Sequence, residues 1–266
     1  MNRGAVGGLF RKELIDVSRN RGALIPVVLV TAIALVVPFV VTIAVPLATG
    51  GRLGEDSELV RIAGIVDPDS RLSPDARVQL FLFQQFLLLF LLTPTTGAMA
   101  MAAHSVVGEK QARTLEPLLA TPIATFELLL AKVMGALVPT LVIAMAGLLL
   151  YVAGIALLAL PGVLGAMTNP RTAVLVLLLA PAAALLSLQA ALLISSRVND
   201  ARTAQQFGVF IVIPVSALLV AQFTGAVWLS AFALTAISAA MMLLWGILAL
   251  VSVRLFDRET ILTRWR

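Results

Sequence analysis

The chain has 266 residues, of which 60% are hydrophobic and 12% charged, and its mean hydropathy is +1.03. A soluble globule of that length needs a polar skin over most of its surface, so the composition excludes a water-soluble domain and makes lipid the solvent. The net charge of +5 is dispersed between apolar runs instead of forming one basic patch, which argues against nucleic acid as a partner; with no Cys and a single His104, disulfides, thiol nucleophiles and a metal site are not expected.

From the N-terminus, Val6, Leu9, Phe10, Leu14 and Val17 recur at three- and four-residue steps, while Arg3, Arg11, Lys12, Asp16 and Arg19 occupy the other faces. This pattern predicts an interfacial helix within residues 1–22, with Leu9, Phe10 and Leu14 toward the membrane and Arg11 and Lys12 toward anionic lipid headgroups. The first long apolar run follows at 23–48. It exceeds the roughly 7–15 residues of a signal-peptide core and reaches spanning length, so it reads as an uncleaved span. Residues 49–77, with mixed charge and turn-forming Gly, Pro and Asp, form a loop.

Five further apolar runs lie at 78–103, 133–160, 172–196, 207–224 and 229–253, the last two separated only by a short turn-forming stretch. In lipid the backbone must satisfy its own hydrogen bonds, and no barrel-type alternation is visible. The prediction is an all-α integral membrane protein, a single transmembrane domain over 1–266 with six spans. An even number of spans puts both termini on one side. That side, with the loops sharing it, carries 14 of the 19 Lys and Arg residues, and the other side carries Arg52, Arg61, Arg71, Arg77 and Arg171. The excess makes the termini and segment 104–132 cytoplasmic and loop 49–77 external.

Segment 104–132 is a polar island. Within "GEKQARTLEPLLATPI" (108–123), Thr114 can cap a short helix whose first turn holds Glu116 and Pro117, and Thr121 and Pro122 stop or bend it. Leu115, Leu118 and Leu119 would share one side, opposite Glu109, Lys110, Arg113 and Glu116, an apolar knob ringed by charge of the kind that docks a partner. Inside the spans, Gln84, Gln85, Thr93, Thr95, Thr96 and Gln189 are polar but uncharged, which argues against a proton relay. They either line a pathway or hydrogen-bond between helices. No phosphate-binding Gly-rich motif ending in Lys-Ser or Lys-Thr occurs, so ATP hydrolysis is not expected of this chain.

The opening "RKELIDVSRNRGAL" (11–24), the island, and the ending "RLFDRETILTRW" (254–265) together resemble the membrane subunit of a type-2 ABC transporter, an export permease, essentially end to end. The resemblance implies that the N-terminal helix is a connecting helix, and that Thr114 to Pro122 is a coupling helix seated in a groove of the ATPase, with Glu109 and Lys110 on its approach. It also implies a working unit of two ATPase subunits and two permease chains, identical or homologous, in a prokaryotic cytoplasmic membrane. ATP and Mg would then sit on the partner and no cofactor on this chain. The alternative from another class is a membrane scaffold or regulatory subunit that docks an ATPase and moves nothing.

Overall fold

The computed structural model describes residues 3–66, 71–111, 124–197, 213, 217, 220–222, 224 and 226–255, and every regular element among them is a helix. Helix α1 (Arg3–Arg19) ends at Asn20, whose extended backbone breaks the helix and whose side chain accepts from the Ala23 amide at 3.2 Å, starting α2 (Arg21–Thr49). A π-helical turn over Val40–Ala44 follows Pro38, which has no N–H to give the regular ladder. Gly50, with φ of 68°, closes α2 in the left-handed conformation that a side chain disfavours.

In the loop expected at 49–77, Asp56 accepts from the amides of Glu58 and Leu59 and caps α3 (Ser57–Val66). Ser73 caps α4 (Pro74–Phe86), and α5 (Leu89–Gln111) continues after a break at Leu87 and Leu88. Next come α6 (Thr125–Leu158), α7 (Val163–Met167), α8 (Pro170–Ser195) and α9 (Ala231–Leu255).

Among the described residues, four helices are long and apolar enough to cross a bilayer, namely α2, α6, α8 and α9, with candidate spans of 23 to 33 residues. They fall where the first, third, fourth and sixth spans are expected. The fifth expected span, 207–224, lies almost wholly outside the described residues. The second differs from a single helix over 78–103. There the Leu88 amide bonds the Gln85 carbonyl and the Phe90 amide bonds the Leu87 carbonyl, two tightened turns that interrupt the i to i−4 ladder and leave α4 and α5 as separate helices.

Two of the three apolar cores among the described residues meet at this break. Leu80, Phe83, Leu87 and Leu88 join Tyr151, Ile155, Val163, Met167 and Leu175 at one end of the bundle. Its centre is aromatic, with Tyr151 donating to the Phe83 carbonyl at 2.8 Å and standing 5.0 Å from Phe90 and 5.6 Å from Phe39, ring to ring. At the other end, Ala98, Met101 and Ala102 of α5 meet Val17, Ala23, Val27, Val133, Ala136, Ala184, Leu188 and Leu192. Alanines recur through this second core, where helices in lipid associate by close van der Waals approach.

Candidate functional site

Helix α6 has 34 residues, about 50 Å at 1.5 Å per residue, against roughly 30 Å of hydrocarbon. One end therefore projects from the membrane, and α1 lies against its first turns. Leu9, Glu13 and Val17 follow one another at four-residue steps and share a face, so the apolar stripe of α1 carries a carboxylate in its middle. Val17 is buried in the second core, and Glu13 is only 3% exposed.

Glu13 is held by three cationic or hydroxyl groups. Its Oε1 is 3.1 Å from Lys132 Nζ of α6 and 3.5 Å from Lys12 Nζ, and its Oε2 accepts from Ser105 Oγ of α5 at 2.8 Å. Lys132 Nζ also donates to Ser105 Oγ at 3.0 Å, closing a triangle whose lysine is 2% exposed. Burial is the strongest single influence on the Glu13 carboxyl and pushes its pKa up. The nearby Lys132 and Lys12 charges and the bonds from Ser105 and Lys132 outweigh it together, and the net pKa lies below the ordinary 4.5. The Glu13 carboxylate is therefore ionised at neutral pH.

Gly135, one turn beyond Lys132, makes the approach possible: a Cβ there would overlap the Cβ of Glu13. Lys132 and Ser105 stand on either side of segment 112–123, so the triangle fastens α1 to the helix leading into the polar island and to the helix leading out of it.

Among the residues singled out in the sequence, Leu9, Phe10, Lys12 and Leu14 are half-buried on α1 and Arg11 is exposed. The apolar face of α1 is thus covered by protein at Glu13 and Val17. Glu109 and Lys110 belong to the last turn of α5, and Arg113, Thr114, Leu115, Glu116, Leu118, Leu119, Thr121 and Pro122 lie outside the described residues. Gln84, Gln85, Thr93, Thr95 and Gln189 are buried, and Thr96 is half-buried. Thr95 and Thr96 donate to the Leu92 carbonyl at 2.9 and 2.6 Å, and Gln189 donates to Ser252, tying α8 to α9. Both polar atoms of Gln85 and the Thr93 hydroxyl are buried without a partner among the described residues.

Sequence reasoning missed Glu13, Ser105 and Lys132 as a unit. Two signals were available: a carboxylate in register with the apolar stripe of α1, and a lysine inside the apolar opening of α6. Ser105 carries no such signal.

A sequence model described as "ABC-2 family transporter protein" matches residues 8–254. The chain belongs to the ABC-2 transporter family. It is thereby the permease type of subunit of an ABC transporter, a multi-pass membrane component whose family implies an ATPase partner. The ABC-2 match opens within α1 and includes all three residues of the triangle. No curated protein matches the chain.

Proposed function

We propose that this ABC-2 permease is half of the membrane part of an exporter, with six spans, both termini cytoplasmic, and two ATPase subunits that bind and hydrolyse ATP with Mg. Segment 104–132 is the docking element for the ATPase, Thr114 to Pro122 its coupling helix, and α1 the connecting helix. The observation that carries the reading is the buried Glu13, Ser105 and Lys132 triangle. An element that must transmit force cannot hinge freely on the helices beside it, and these three side chains lock both roots of the segment to α1. Movement at the docking segment then reaches α5 and α6 together, biasing the equilibrium between two packings of the spans. The excess of Lys and Arg on the terminal side supports the orientation.

Gln84, Gln85, Thr93, Thr95, Thr96 and Gln189 remain the proposed polar lining of the pathway. Gln85 and Thr93 support this best, because unpartnered buried donors and acceptors are those that another packing of the spans could satisfy.

Purification of the chain under gentle extraction, with whatever accompanies it, tests the docking assignment. Glu116→Arg is expected to release the ATPase or to abolish stimulated turnover while leaving membrane insertion intact. Wild-type ATPase yield with unchanged stimulated turnover would sink the assignment.

A further inference from the structure

At the end of the bundle opposite Glu13, where α8 begins, Arg171 is 8% exposed. Its Nε donates to the Leu229 carbonyl at 3.0 Å, its Nη2 donates to Gln222 Oε1 at 2.9 Å, and its guanidinium carbon lies 3.9 Å from the centre of the Trp228 ring. All three partners are neutral, and no carboxylate lies within ion-pair distance among the described residues. Buried charges are ordinarily paired, because moving an ion out of water costs several kcal/mol.

Gln222, fully buried, has its Nε2 without a partner among the described residues, beside the guanidinium that its own Oε1 accepts from. A guanidinium whose bonded acceptors are both neutral, beside an amide NH2 without an acceptor, calls for an anionic acceptor. A planar guanidinium fork matches phosphate best.

The surroundings say where the phosphate comes from. Trp228 is half-buried, its neighbours Val227 and Ser230 are exposed, and a Trp at the end of membrane helices marks headgroup depth. Residues Pro170 and Thr172, on either side of Arg171, line an apolar cavity of about 550 Å³ between α6 and α8, within the size range of small-molecule sites. The Thr172 hydroxyl is also buried without a partner among the described residues. Arg171, Gln222 and Trp228 do not line this cavity, so it offers room for an acyl chain beside the cation and not for the headgroup itself.

We propose that Arg171, Gln222 and Trp228 form a binding site for the phosphate of an anionic lipid, in the leaflet opposite the Glu13 end, with Trp228 as its outer wall. The site does not depend on what the transporter moves.

Trp228 is also the reporter, since the only other tryptophans are Trp245 and Trp265. With both changed to Phe, the purified chain and any co-purifying subunits go into phosphatidylcholine nanodiscs with increasing phosphatidylglycerol. The expected result is a saturable change in Trp228 emission with phosphatidylglycerol, none with inorganic phosphate added to pure phosphatidylcholine discs, and a roughly ten- to hundredfold weaker response in Arg171→Lys and in Gln222→Leu. Gln222→Leu keeps the charge and guards against misfolding of an arginine variant. A flat response, a response unchanged in both variants, or one given equally by free phosphate would overturn the lipid site.

Discussion

Glu13 and Lys132 are 3% and 2% exposed and face one another at 3.1 Å, so each is the other's main compensation for burial. Removing one leaves an uncompensated ion, and Lys132→Met alone is expected to destabilise the chain by about 3–5 kcal/mol. The double variant Glu13→Leu and Lys132→Met exchanges the pair for apolar volume, and should recover most of that loss. Thermal unfolding of Glu13→Leu, Lys132→Met and the double variant in one detergent checks this, and strictly additive losses would contradict it. The stripe of α1 made the position of Glu13 legible, because a carboxylate four residues from both Leu9 and Val17 has to be buried or paired. Its partners were not legible, since Ser105 and Lys132 are 92 and 119 residues away in sequence.

The helices α1 and α6 meet at Gly135, where any side chain would strike Glu13 close to the backbone. Gly135→Val is expected to cost about 1–3 kcal/mol as an overpacked contact and to speed tryptic cleavage after Arg11 and Lys12, with α1 lifted from α6. Unchanged melting and unchanged cleavage would contradict the contact. Long uncharged runs rich in Leu, Val and Ala made α2, α6, α8 and α9 legible, because lipid leaves such runs no choice but helix. The interruption in the second run escaped, although Gln84 and Gln85 stand just before it. A break set by two backbone hydrogen bonds at Leu88 and Phe90 leaves no mark in hydropathy.

Among its described residues, the ABC-2 permease has an aromatic-centred core at the α4 end and an alanine-bearing core at the α1 end, joined through the break in its second apolar run, with a third core between α3 and α4. With no native Cys, single-cysteine variants report orientation without background. Exposed Ser57 on α3 and exposed Ser18 on α1 suit this test. An impermeant maleimide should label Ser57→Cys in intact cells and Ser18→Cys only after permeabilisation. The reverse pattern would invert the proposed topology.

The most direct test of coupling through the buried triangle is the ATPase turnover of the complex carrying Glu13→Leu and Lys132→Met. The expected result is an ATPase that still co-purifies with a permease of near wild-type melting temperature, but whose turnover no longer responds to it. Wild-type stimulation by that variant would contradict the role of Glu13, Ser105 and Lys132 in coupling.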